Sequence, residues 1–246
     1  MNARPLLLAS VLAALVPFAV RADERVAEIA RRLEAGREAR KLDAAQRTAL
    51  LGGEPTGVAK EPALDAKDDA EATRKALELF ARPAAEFPFR MVEKDRRKTF
   101  VKHEVRFLSG VHTTDESDVV TGVYYQPTAV PAGERLPACV VVHHLGGSFE
   151  AEEILAQYLT QHGVAGMTIA LPGYGPRRAP NQPRAGFLGH KDPVEDLAGM
   201  RQAILDVRRA ADFLRTRPEV DPARVGVAGI SLGALVASDA AAIDAR

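Results

Sequence analysis

The spacing of apolar positions changes twice along the chain. Leu6 to Val20 is an apolar run interrupted only by Ser10 and Pro17, behind a positive Arg4. From Asp23 to about Leu51 the period is helical. Val26, Ile29, Leu33, Leu42 and Ala45 recur among Arg and Glu, and Gly52-Gly53 closes the segment. A linker marked by Pro55 and Pro62 follows. Lys67 to Ala81 reads as a second amphipathic helix with Leu77 and Phe80 on its apolar face, ended by Pro83. From about Arg90 the period shortens to two. Thr99 to Leu108 alternates as a half-buried strand does, and Asp118 to Gln126, closed by Pro127, predicts another. Ala138 to Val142, Ala165 to Leu171 and Val225 to Ala228 are runs of strands covered on both faces. Between and after them lie helical stretches: Phe149 to His162, a long helix from Asp192 to Pro218, and Leu232 to Ile243. At the start of the long helix Asp192 is the cap, Pro193 fits the first helical position, and Glu195 sits three residues after the cap. Strands alternating with helices predict a parallel α/β sheet with right-handed crossovers.

Composition narrows the function. The 246 residues carry 33 Lys+Arg against 33 Asp+Glu, so the formal net charge is zero and the electrostatic case for nucleic acid or an anionic membrane falls away. Cys139 is the single cysteine, which excludes an intrachain disulfide and any multi-cysteine metal centre, and a buried strand makes it inert core. The N-terminal apolar run is too short to span ~30 Å of hydrocarbon at 1.5 Å per residue. With Val20-Arg21-Ala22 behind it, it predicts an export signal cut near Ala22-Asp23, no membrane span afterwards, and a periplasmic or secreted product. The expected organisation is a signal over 1–22, a helical N-terminal extension over 23–88, and an α/β domain over 89–246.

The chemistry lies in Gly229-Ile230-Ser231-Leu232-Gly233, between a buried strand and a helix. In that context G-x-S-x-G is a nucleophile elbow: a turn too tight for side chains at 229 and 233, which lifts the Ser231 hydroxyl out of the sheet toward the positive end of a helix. His143-His144-Leu145-Gly146-Gly147 stands between another buried strand and its helix. Glycines at 146 and 147 let backbone N–H groups approach a substrate oxygen, so the amides of Leu145 and Leu232 are the expected oxyanion donors. Asp192, Glu195 and Asp196 read as capping and dipole groups. Asp206 and Asp212 read as exposed or paired with Arg209 and Arg208 at helical spacing. Arg177, Arg178 and Arg184 read as a solvated loop that could meet an anionic substrate group. No metal-ligand spacing and no phosphate loop is present.

On these residues Leu136 to Ala240 resembles the central part of an α/β-hydrolase, most like the dienelactone-hydrolase, acetyl-esterase and prolyl-oligopeptidase branches. The stretches that carry the likeness are VVVHHLGGS, ALPGYGPR and DVRRAADFLRTRPEVDPARVGVAGISLGA. The resemblance implies a three-layer fold with a mostly parallel sheet and an antiparallel leading hairpin. It also implies a serine hydrolase acting through a Ser231 acyl-enzyme, with a small-molecule ester as first substrate class, a peptide bond as second, and no cofactor. His144 departs from the pattern by occupying the first glycine position of the oxyanion loop, and Ser231 in place of Cys argues against dienelactone hydrolase activity in the strict sense. In this class the triad runs Ser, acid, His along the chain. The fifteen residues after Ser231 hold Asp239 and Asp244 but no His, and all six histidines precede it. Five of the eight implied strands are placed. The sheet is therefore expected to be incomplete after the nucleophile helix, with base and acid lying further along; the alternative is an inactive hydrolase-like binding module. His144 is the one upstream histidine near the site by topology, expected to be a loop residue bonded to backbone, and His190 is expected to be solvated. The strand Arg224 to Ala228 would present an open edge and favour self-association.

Overall fold

The computed structural model describes residues 31, 41–63, 77–146, 148–180, 186–190 and 192–244. The expected export signal, Gly147, Arg184 and most of the helix expected over 67–81 lie outside these residues. In chain order the elements are α1 (Ala44–Leu51), β1 (Gly57–Glu61), β2 (Ala85–Arg96), β3 (Phe100–Leu108), β4 (Val119–Pro127), β5 (Leu136–Val142), α2 (Glu150–Gln161), β6 (Ala165–Ile169), α3 (Pro193–Arg215), β7 (Val220–Gly229) and α4 (Leu232–Ile243).

All seven strands form one sheet in the order β1-β2-β3-β4-β6-β5-β7. The β5–β6 and β5–β7 pairs are parallel and the other four pairs antiparallel. The antiparallel part therefore extends beyond the expected hairpin, through two strands that the periodicity does not predict. β1 occupies the expected linker, and β2 starts inside the segment expected to be a helical extension. Phe87 and Phe89 point inward from β2 at strand spacing, but Pro88 between them reads as a breaker. At the other end, Gly52 stops α1 in the left-handed conformation (φ 74°), as expected, while a capping box at Asp43 starts that helix afresh.

Helices cover both faces, which gives the three layers. α3 and α4 pack on one face over Phe89, Tyr124, Val140 and Met167. There the ring of Phe213 meets those of Phe89 (4.9 Å) and Tyr124 (5.8 Å) edge-on, a geometry that suits the ring quadrupoles. α2 packs on the other face through Ala156, Leu155 and Leu159 against Tyr125 and Val141. Cys139 is half-buried on β5, and burial pushes its thiol up to about 11, so it is an unreactive packing group. No helix among the described residues is long and apolar enough to cross a membrane.

α3 departs from the solvated amphipathic helix that its sequence suggests. Its polar side is covered by β1, by α4 and by the loops at the sheet's edge. Asp206 pairs with Arg177 (2.6 Å) and accepts from Ser109 (2.6 Å), not Arg209; Asp212 pairs with Arg215 (3.2 Å), not Arg208. Arg208 and Arg209 instead reach Glu61 on β1, and Arg208 also meets Asp244.

Asp239 on α4 is buried, and its Oδ1 has no hydrogen-bond partner among the described residues. Burial raises its carboxyl from 3.8 to about 6. Below the lower value the group is protonated whether the chain is folded or not, and it costs nothing. Between the two values the unfolded chain releases a proton that the folded chain keeps. Above the higher value the folded state carries the full penalty, about 3 kcal/mol at about 1.4 kcal/mol per tenfold in the proton equilibrium. Asp239→Asn is expected to raise the urea midpoint at about pH 7.5 and to leave it nearly unchanged at about pH 4. An equal shift at both would show that the carboxyl is not desolvated.

Candidate active site

The chain leaves β5 to form β6 on one side and then returns to form β7 on the other. This is a topological switch point, and in open α/β sheets the crevice outside the carboxyl ends of such strands is where ligands bind. In register, Val142 on β5 stands opposite Ile169 on β6 and Gly229 on β7, so three loops leave the sheet side by side.

The β7 loop is the elbow. Ile230 N–H donates to Val142 O (3.2 Å), Ser231 has φ 54° and ψ −115°, and α4 begins at Leu232. Ser231 is the only non-glycine residue with positive φ among the described residues. Such a conformation costs a side-chain-bearing residue on the order of 1–3 kcal/mol. A Cβ on Gly229 would overlap the Gly233 carbonyl, and one on Gly233 would overlap the Val142 carbonyl, so both positions require glycine. Ser231 is exposed and occupies the helix cap position, yet its side chain caps nothing. The hydroxyl is left free beside the first amides of α4, which have no partner inside the helix and carry its positive dipole end.

The β5 loop carries His143, His144, Leu145 and Gly146. His143 is buried against Phe149 and Tyr174, and both its ring nitrogens are engaged. Nδ1 lies 2.7 Å from His144 O and Nε2 accepts the Leu171 N–H at 2.9 Å, which places the proton on Nδ1. Burial pulls the ring down to about 4, so it is a neutral strut between the β5 and β6 loops. Leu145 is exposed, and Gly146 has φ 126°.

His144 differs from expectation. Its ring is bound to a carboxylate and not to backbone: Nδ1 stands 2.8 Å from Glu152 Oε1, and the His144 N–H donates to the same oxygen at 3.0 Å. Glu152 is fully buried in the first turn of α2. Burial pushes its carboxyl up, but the hydrogen bonds from the His144 ring and from backbone outweigh this and leave it below its ordinary value. Nothing periodic in the sequence links positions 144 and 152.

His190 is also paired. Asp196 accepts from its ring (2.7 Å), from its N–H (3.0 Å) and from Gly189 N–H (2.9 Å), so this carboxylate organises the loop before α3 besides standing near its cap. Asp192 caps α3 as expected, accepting from Val194 N–H. Arg177 is wholly buried, not solvated. It donates to Ser117 O, to Ala170 O (2.8 Å) and to Asp206, joining the β3–β4 loop, the β6 loop and α3. On the β3–β4 loop, donor atoms of His112, Asp115 and Asp118 lie within 4.8 Å of one another. This set has the chemistry of divalent-cation ligands and was not legible as a spacing motif; His112 Nδ1 there is hydrogen-bonded to Asp118.

The sheet order and the strained serine turn define an α/β-hydrolase fold. That fold is shared with a Bacteroides fragilis protein assigned as an acetyl xylan esterase, at 15% identity and TM-score 0.51, over 63% of this chain and 45% of that one. The acetyl xylan esterase of Paenibacillus sp. R4 is similar at 24% identity and TM-score 0.47, over 64% and 50%. No protein-family model matches the chain. Among curated proteins, an uncharacterized protein of Mycobacterium tuberculosis, found in two strains, is 31% identical over 86 residues, which is 34% of this chain and 20% of that protein. The chain thus spans about half the length of the solved structures it resembles and a fifth of the mycobacterial protein.

Proposed function

We propose that the chain is a serine hydrolase that cleaves carboxylic esters through an acyl-enzyme on Ser231, with the backbone N–H groups of Leu145 and Leu232 as donors to the oxyanion. The observation that carries this reading is the backbone of Ser231. A non-glycine residue held at positive φ, flanked by two glycines that backbone contacts enforce, is strain kept at one point, and the group it presents is a hydroxyl with no structural task. The turn stands at the switch point where a ligand would bind, at the N-terminus of a helix that favours developing negative charge. The fold shared with a protein assigned as an acetyl xylan esterase makes an O-acyl ester the substrate class to test first.

With p-nitrophenyl acetate as substrate, turnover is expected together with an acetyl group on the Ser231 peptide after acid quench, read by mass spectrometry. An acetylated protein in which another residue carries the group, or no turnover and no acetylation, would remove the reading. Cleavage of peptidyl but not of acyl esters would move it to a peptidase.

A further inference from the structure

We infer that Glu152 is a positioning residue for the proposed reaction: through His144 it fixes the β5 loop so that the next amide, the Leu145 N–H, is held free for the oxyanion. This rests on the reading of Ser231 as nucleophile and of Leu145 as donor.

Two consecutive peptide groups of this loop are pinned from inside the protein. The 143–144 peptide gives its N–H to Glu152 Oε1 at 3.0 Å. The 144–145 peptide offers its carbonyl to His143 Nδ1 at 2.7 Å, a nitrogen that carries the proton because Nε2 accepts the Leu171 N–H. The described residues contain no cis peptide bond, and in a trans peptide the C=O and the N–H point in opposite directions. The Leu145 N–H therefore points away from the buried His143 ring. Among the described residues it has no acceptor, and neither has the Leu232 N–H at the start of α4. The loops that carry these two amides are packed together. Val142 O accepts the Ile230 N–H, and a side chain on Gly233 would overlap the Val142 and His143 carbonyls.

Glu152 is spent on this loop. It is the third residue of α2, a position from which a glutamate ordinarily turns back on the cap of its own helix. Here Oε1 accepts the His144 N–H and also meets the ring Nδ1 at 2.8 Å, and no other residue among the described ones bonds the side chain. The His144 bonds hold the carboxyl below its ordinary value, so it is ionised and only accepts, and the ring donates from Nδ1. Oε2 is buried without a partner among the described residues. A buried carboxylate with one oxygen unpaired is costly, and packing alone does not call for it.

The clamp also accounts for the departure of this loop from the pattern it resembles. His144 stands at that pattern's first glycine position. A glycine has no side chain to anchor and leaves the backbone its full freedom. His144 is held at two points on one oxygen, so the loop is fixed on both sides of its α-carbon. An oxyanion donor acts through being in place before the charge develops, since it then needs no reorganisation during the reaction.

The test is turnover of p-nitrophenyl acetate by the full-length protein, with the acetyl group located by mass spectrometry after acid quench. Glu152→Ala removes both bonds to His144. It is expected to lower kcat by about 10²-fold at nearly unchanged KM, because a displaced donor is lost to the transition state and not to the bound ester. Glu152→Gln keeps an oxygen that accepts both bonds and is expected to restore kcat to within about threefold of wild type, even where its buried amide lowers the melting temperature. A merely structural role would instead make the rates follow the melting temperatures. His144→Ala keeps the N–H bond and loses the ring; it is expected to lower kcat about tenfold and serves where Glu152→Ala does not fold. Wild-type kcat in folded Glu152→Ala or in His144→Ala, a change in KM alone, or equal losses in the alanine and glutamine variants of Glu152 overturns the positioning role and leaves Ser231 a nucleophile. Absence of acetyl on Ser231 in the wild type removes the nucleophile, and this inference with it.

Discussion

Ser231→Gly is expected to abolish ester turnover and, at the same time, to give a more stable protein than Ser231→Ala. Both substitutions remove the hydroxyl, so both should lower turnover by about 10³-fold or more, as loss of a covalent nucleophile does. Their stabilities should differ because of the backbone. At φ 54° and ψ −115° a Cβ is strained, and alanine keeps that Cβ whereas glycine has none. Relief of strain is opposed by the greater freedom of glycine in the unfolded chain, which costs roughly 0.5–1 kcal/mol. The net expectation is that the glycine variant is more stable by about 1 kcal/mol, read as a shift of the urea midpoint at unchanged slope. No cap is lost in either variant, since the side chain of Ser231 caps nothing. If alanine proves the more stable, the turn is not strained, and the physical reason for reading Ser231 as a nucleophile goes with it.

The elbow is legible in the sequence because its constraints are local. Gly229 and Gly233 are dictated by backbone atoms within four residues or on the adjacent strand, so the motif and its geometry arrive together. The strands from β3 onward are legible for a similar reason, since their alternation or continuous apolarity records which faces are covered. β1 and β2 are not. Gly57–Glu61 is short and half polar, and in β2 Pro88 and the charged run Glu93–Arg96 mask the inward Phe87 and Phe89. The pairing of charges is the least legible part. Helical spacing offers Asp206 a partner at Arg209, but its actual partners stand 29 and 97 residues away, at Arg177 and Ser109. Spacing rules apply to a solvated helix face, and the polar face of α3 is covered by β1 and by the edge loops.

This hidden polar layer shapes the candidate site. His143 ties the β5 loop to Leu171, Arg177 ties the β6 loop to the β3–β4 loop, and Asp196 folds the segment before α3. Each is a buried or half-buried group whose donors and acceptors are spent within the protein. Ser231 Oγ differs, standing at the same edge with no side-chain cap bond to the helix it precedes. On the function proposed above the struts and the reactive hydroxyl sit on separate residues, so strut variants should act through stability and Ser231 variants through rate.

Arg177 and Asp206 give the sharpest form of that separation. Both side chains are fully buried and lie 2.6 Å apart. Burial pushes the Asp206 carboxyl up, and Arg177 pulls it back by offering a charge and a hydrogen bond. Removing either partner strands the other as an uncompensated buried charge. Asp206→Leu and Arg177→Met are therefore each expected to cost about 3–5 kcal/mol of unfolding free energy. The double variant removes both charges and should cost less than the sum of the two by about 3 kcal/mol. It is not expected to be neutral, because Ala170 O loses the Arg177 donor, Ser117 O keeps only Gln202 of its side-chain donors, and the Ser109 hydroxyl loses its acceptor. The measurement is a double-mutant cycle in urea. Additive losses would mean that the two charges do not compensate each other, and that the two loops are held by the separate hydrogen bonds of Arg177 and not by its ion pair to α3.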